Sequence, residues 1–141
     1  MIVAYSHRAS DTPAFALIAE GWNELVQEGL TPDGVGVCPV KSDHEVLYAV
    51  SLDTDVVGVI VYGQEADGTG LRVSLAYVEP SMRKRGVFKL LMDALKQSAT
   101  ARGVRVEIQA PANSSIQAVL RHLNATVAAV VYEIAGAAQG A

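Results

Sequence analysis

Four cations fall within the seven positions of Arg83-Lys84-Arg85-Gly86-Val87-Phe88-Lys89, and no acid lies among them. A strand-like run, Leu71 to Val78, precedes them, and a helical run, Val87 to Ala99, begins inside them. The cations therefore crowd a helix start, where the macrodipole already disfavours each by roughly 0.3–1 kcal/mol. A local rule broken this plainly points to a site. A bound anion is the simplest compensation, because a strand–glycine–helix junction offers free N–H groups to a phosphate. The plainer reading is a basic surface turn that caps a helix.

The rest of the chain is acidic, with a formal net charge of −4 over 141 residues. A general nucleic-acid binder carries a broadly basic footprint, so the local cluster suits a small phosphorylated ligand better. Half the residues are hydrophobic and 18% are charged, the balance of a globular chain with a sizeable core. The length fits one domain, placed at 1–135 with a small-residue tail at 136–141. The single cysteine, Cys38, excludes an intrachain disulfide and fits a reducing cytosol. Cys38 itself reads as a small buried or loop residue. The first eight residues show no signal pattern, and the longest apolar runs, Val56 to Tyr62 and Val127 to Tyr132, are too short to span a bilayer. The expectation is a cytoplasmic protein with no membrane partner.

The elements around the cluster follow from periodicity and turn chemistry. Residues 1–6 read as a strand, and Thr12-Pro13 is an N-cap followed by proline at the first helical position. Ala14, Leu17, Ile18, Gly21, Trp22, Leu25 and Val26 recur at helical spacing, with Glu20, Glu24 and Glu28 on another face and Gly29 as the stop. Residues 30–43 read as a loop. Glu45 to Leu52 and Val56 to Gln64 form a hairpin about Asp53-Thr54-Asp55, and Asp67-Gly68-Thr69-Gly70 turns the chain into the Leu71–Val78 strand. The helix after the cluster shows Val87, Leu90, Leu91, Ala94, Leu95 and Ser98 on one face and closes at Arg102-Gly103. Val104 to Ala110 alternates as a strand, so this span is a βαβ unit with parallel strands. Pro111 to Ser114 opens a last helix with Ile116, Val119, Leu120 and Leu123 as its stripe, and Ala125 to Ile134 reads as a final β region. The expected class is α/β (α+β): a mixed central sheet, an antiparallel meander plus the βαβ unit, and helices on both faces.

This order, with the basic glycine loop after the fourth strand, resembles the GNAT family of N-acetyltransferases over essentially the whole chain. The family's loop reads Arg/Gln-x-x-Gly-x-Gly/Ala. Arg83-Lys84-Arg85-Gly86-Val87-Phe88 matches its first and fourth positions, and Phe88 departs from the last. Leu75-Ala76-Tyr77-Val78-Glu79-Pro80 resembles the family's strand end, and Asn113 falls where the family has an asparagine.

The resemblance implies acetyl-CoA as co-substrate, no metal, and transfer of the acetyl group to an amine of a small molecule or a protein. The N–H groups of Arg85, Gly86, Val87 and Phe88 would face the pyrophosphate, with Arg83, Lys84, Arg85 and Lys89 as nearby cations. The coenzyme's pantetheine arm would lie between splayed fourth and fifth strands, against the backbone of Tyr77 and Val78. The Val78 N–H would donate to the thioester oxygen, and Asn113 would contact the coenzyme. The small residue missing at Phe88 usually lets the backbone approach phosphate, so its ring must point away for its N–H to serve. The family's tyrosine general acid is replaced in Leu120-Arg121-His122-Leu123-Asn124-Ala125, and its fourth-strand glutamate is replaced in Val73-Ser74-Leu75. Ser74, which could hold a water, and Tyr77 are the catalytic candidates on that strand, while Glu79, His44 and Tyr132 lie elsewhere. The acceptor pocket would involve the first helix, loop 30–44 and the last strands. Trp22 reads as core, and no carboxylate cluster for a polyamine stands out in the sequence. Pairing of edge strands would make a homodimer.

Two other readings compete. One is a non-catalytic acyl-CoA-binding or interaction module that keeps the fold, motivated by the missing tyrosine. The other is an unrelated phosphate-binding α/β domain. It lacks support, since Gly34-Val35-Gly36 is not followed by a dinucleotide fingerprint and no Gly-x-x-x-x-Gly-Lys-Ser/Thr segment is present.

Overall fold

The computed structural model describes residues 1–28 and 38–108. Asn113, His122, Tyr132, the Leu120–Ala125 segment, the last helix, the final β region and the tail lie outside the described residues, as do Gly29 and most of the loop after it. Five strands form one mixed sheet in chain order: β1 (Ile2–Ser6), β2 (Glu45–Val50), β3 (Val56–Gln64), β4 (Gly70–Val78) and β5 (Arg105–Glu107). The first four pair antiparallel, and β5 lies parallel to β4. Two helices, α1 (Phe15–Glu28) and α2 (Val87–Arg102), complete the described fold, with short 3-10 turns at Ala9–Asp11 and Pro80–Met82. The meander and the βαβ unit are as the sequence predicts. Among the described residues, no helix is long and apolar enough to cross a membrane.

Local chemistry sets the element ends. The Thr12 hydroxyl oxygen accepts the Ala14 N–H at 3.2 Å in a turn before the helix, and α1 begins at Phe15, two residues later than the Thr12-Pro13 signal predicts, with the Ala14 carbonyl accepting the Ile18 N–H. In the β3–β4 turn Asp67 accepts both the N–H and the hydroxyl of Thr69, and Gly68 takes a positive φ of 72°. At the end of α2, Gly103 has φ 69° while its N–H reaches Thr100 O and the Val104 N–H reaches Ala99 O. Those two bonds are the Schellman pattern that a C′ glycine permits.

The helices cover opposite faces of the sheet. Ala14, Leu17 and Ile18 pack with Val46, Val59, Val61, Leu75 and Tyr77 in one buried cluster. The alternate residue Gly58 faces α2, where a Cβ would lie 2.6 Å from Val87 Cγ1. On α1 the buried face is narrower than the spacing suggests: Trp22 and Leu25 are half-buried, and Val26 is exposed. On α2 the face is rotated. Val87, Leu91, Met92, Leu95 and Ala99 are buried, whereas Leu90 is exposed. At about 100° per residue these five positions span one arc, and Phe88 falls inside it while Leu90 falls outside. Periodicity alone admits either arc, and the seating of Val87 and Leu91 over Gly58 selects this one.

Candidate active site

The loop between β4 and α2 is built by backbone conformation. Lys84 and Gly86 both have positive φ, 64° and 81°. Gly86 is the N-cap of α2, no side chain caps the helix, and its carbonyl accepts the Leu90 N–H at 3.0 Å. The N–H groups of Val87, Phe88 and Lys89 precede the first intrahelical bond and have no backbone acceptor among the described residues. A Cβ on Gly86 would meet nothing within 4 Å among the described residues. Glycine is needed there for its φ and, on the outer side, for anything that approaches. The half-buried Phe88, within the arc that faces the sheet, is compatible with an N–H turned outward.

The cations of the loop divide. Lys84 and Arg85 are exposed and have no ion-pair partner among the described residues. Lys89 pairs with Asp93 at 3.0 Å on the same helix. Arg83 turns back toward the fold. Its Nε donates to Val78 O at 3.0 Å, a terminal nitrogen donates to both oxygens of Glu24 at 3.0 and 3.1 Å, and its guanidinium carbon lies 5.3 Å from the Tyr77 ring centroid.

Among the described residues, the end of β4 has no neighbouring strand on the side away from β3. β5 pairs only with Gly70, Leu71 and Arg72 among the described residues, although β4 continues to Val78. The Glu79 N–H donates to Val57 O at 2.9 Å, toward β3. Backbone groups alternate edges along a strand, so the Val78 N–H and C=O point away from β3. Within β4, Ser74 is the extra residue of a bulge, because Val61 pairs with Leu75 and Tyr62 with Val73. The Ser74 hydroxyl lies 3.2 Å from Val61 O and 3.1 Å from His44 Nδ1. Ser74 is thus occupied by the bulge and by the loop before β2.

Tyr77 is buried against α1, where a Cβ on Gly21 would lie 2.7 Å from Tyr77 Cβ. Its hydroxyl donates to Glu24 Oε2 at 2.6 Å and lies 3.2 Å from Glu20 Oε1. Burial first, and then these carboxylates, raise the phenol well above its usual range, so it keeps its proton. The Tyr77 hydroxyl bond, and behind it Arg83, hold the Glu24 carboxyl below its ordinary value. An open cleft lies alongside, lined by Ala16, Ala19, Glu20, Asn23, Glu24, Gln27, Tyr77 and Pro80. Glu20 and Glu24 are the functional candidates that sequence reasoning missed. Their i,i+4 spacing was visible, but nothing in it told that this face of α1 turns to the end of β4.

The other candidates sit apart. Glu79 follows β4 at the 3-10 turn, and Cys38 is exposed. His44 packs on Gly63, and its Nδ1 accepts the Lys41 N–H at 3.2 Å. Burial lowers its pKa from 6.5, so the folded state favours the neutral ring. This contribution to stability is complete above the unfolded value of 6.5 and is lost as pH falls from there through the lowered folded value. The melting temperature should therefore drop between about pH 7.5 and pH 5.5, and His44→Gln should flatten that slope in a thermal-melt series.

Known proteins place this geometry in a family. Residues 9–124 match the model of the acetyltransferase (GNAT) family. No match is found among curated protein sequences. A ribosomal-protein-alanine N-acetyltransferase from Brucella melitensis biovar Abortus 2308 is 22% identical at a TM-score of 0.64, over 95% of this chain and 98% of that chain. An aminoglycoside acetyltransferase from an uncultured soil metagenomic sample is 20% identical at a TM-score of 0.61, over 95% and 98%. An aminoglycoside N-acetyltransferase in complex with CoA is 16% identical at a TM-score of 0.61, over 94% and 97%. At these identities the likeness is one of fold, and the family model, which spans most of the sequence, carries the assignment: the chain belongs to the GNAT acetyltransferase family.

Proposed function

We propose that the protein is an N-acetyltransferase that uses acetyl-CoA and delivers the acetyl group to a primary amine. One observation carries this reading: three amides at the start of α2, without a backbone acceptor among the described residues, and the outward Val78 N–H belong to the same strand–loop–helix junction. The residues present fit the coenzyme, since among the described residues a Cβ on Gly86 meets nothing and the adjacent cations Lys84 and Arg85 have no ion-pair partner. When bound, acetyl-CoA supplies the activated acyl group.

The chain's own residues then bind and orient. Val87, Phe88 and Lys89 offer N–H groups to the pyrophosphate at the positive end of the α2 dipole. The Val78 N–H is a fixed donor for negative charge that develops on the thioester oxygen, and such a donor costs no reorganisation during reaction. The cleft along α1 opens beside this strand end, and Glu20 and Glu24 offer carboxylates to an incoming ammonium. Structural neighbours named as aminoglycoside acetyltransferases agree with an amine acceptor. Tyr77, which keeps its proton and donates a hydrogen bond to Glu24, serves as a wall of this cleft. A thiolate of low enough pKa leaves without a protein acid, so the replacement of the family's tyrosine by Leu120 is compatible with turnover.

Acetyl-CoA at millimolar concentration should raise the melting temperature and give heat of binding in calorimetry. Ligand at a hundred times its Kd stabilises by about 2.7 kcal/mol. Absence of both signals rejects the coenzyme. Binding without release of free CoA thiol across a broad amine panel would instead indicate a coenzyme-binding module without transfer.

A further inference from the structure

Arg83 is the first residue of the loop motif, and its position suggests a phosphate contact. Its contacts lead elsewhere. Its Nε donates to Val78 O, the last carbonyl of β4, one terminal nitrogen donates to Glu24 of α1, and the guanidinium lies over the Tyr77 ring. The Arg83 side chain is 43% exposed and that of Glu24 30%, so the ion pair adds little to stability. What it supplies is geometry. A planar fork with three fixed partners holds a peptide edge in a way an ammonium cannot.

That edge is the one the proposed reaction needs. The N–H and C=O of one strand residue project to the same side. The Glu79 N–H is bonded to β3, so both Val78 groups face the opposite side. Arg83 therefore grips Val78 by its carbonyl on the edge where the Val78 N–H is presented. We propose that Arg83 is a positioning residue for acyl transfer: it fixes the last residue of β4 so that the Val78 N–H stays aimed at the thioester oxygen, and it ties that edge to Glu24 on the helix that lines the acceptor cleft. This rests on the coenzyme reading above, and it assigns Arg83 to the reacting end of the coenzyme rather than to its phosphates.

The test separates carbonyl polarisation from affinity. The probes are CoA and acetyl-pantetheine for Kd by calorimetry, and a carbon-13-labelled ketone analogue of acetyl-CoA for the infrared carbonyl band. In wild type the band should lie below its position in the free analogue, because Val78 donates to the carbonyl. In Arg83→Met, which keeps the aliphatic stem, the band should move back toward the free position while Kd for CoA changes by less than about threefold. Arg83→Lys should not restore the band, because the fork is lost. Glu24→Gln should move it the same way, by less. A loss of CoA affinity of about tenfold or more, with acetyl-pantetheine unaffected, would make Arg83 a phosphate ligand and overturn the proposal. So would an unmoved band with only a lower melting temperature, the mark of a purely structural residue. Failure of wild type to bind either CoA or acetyl-pantetheine is a different result, which rejects the coenzyme reading itself and this proposal with it.

Discussion

Gly86→Glu should abolish coenzyme binding, with Kd for CoA raised by about a hundredfold or more, equivalent to about 2.7 kcal/mol. Two effects add. The new carboxylate enters the space over the α2 N-terminus, where a Cβ meets nothing within 4 Å among the described residues, and takes the position offered to pyrophosphate. Its charge repels phosphate at close range. The fold should survive. A non-glycine residue at φ 81° costs roughly 1–2 kcal/mol, and an acid at a helix N-terminus returns about 0.3–1 kcal/mol of that. The net cost is small beside a total stability of about 5–15 kcal/mol. Gly86→Asn is the control, because asparagine tolerates the left-handed region and brings no charge. It should keep most of the affinity lost in Gly86→Glu. Calorimetric titration with CoA reads both variants, and unchanged affinity in Gly86→Glu would remove the loop from the site.

The second large effect is on stability. Gly21→Val should lower the melting temperature by several degrees, a loss of about 1–3 kcal/mol. A Cβ at position 21 lies 2.7 Å from both Tyr77 Cβ and Cγ and 3.0 Å from Cδ1. Those atoms belong to a buried ring seated in the core cluster, so α1 must lift off the sheet. Removing a mid-helix glycine gains less than about 1 kcal/mol of propensity, which the clash outweighs. Because Tyr77 bonds Glu24 and lies under Arg83, the same variant should also disturb the acceptor cleft. Denaturant melts of Gly21→Val and Gly21→Ala measure the effect. Stabilisation by alanine would show that propensity wins and that α1 is not seated on Tyr77.

Much of the coenzyme side was legible because its signals are local. Turns at Thr12 and at Asp67-Gly68 and a glycine stop at Gly103 each depend on residues within a few positions of one another. The cationic loop before α2 is likewise a short segment whose strain against the helix dipole can be read directly. Its glycine takes the left-handed conformation. The acceptor side was not legible. Glu20 and Glu24 look like solvated positions of an amphipathic helix until Tyr77, 53 residues beyond Glu24, arrives beneath them.

By itself, then, the sequence determined the order of elements, the turns between them, the family resemblance and the place of the basic glycine loop. Those are consequences of neighbour interactions and of a pattern carried in one stretch of chain. Only the tertiary structure decided which cations remain available. Arg83 is engaged by Val78 and by Glu24, which is 59 residues away, while Lys84 and Arg85 stay unpaired among the described residues. It likewise decided that Ser74 is a bulge residue, that α2 buries Met92 rather than Leu90, and that the Val78 amide points away from β3. The physical reason is common to all of these. Strand register, helix rotation and ion-pair choice are settled when distant segments pack together, and no local propensity encodes which partner a side chain will then find.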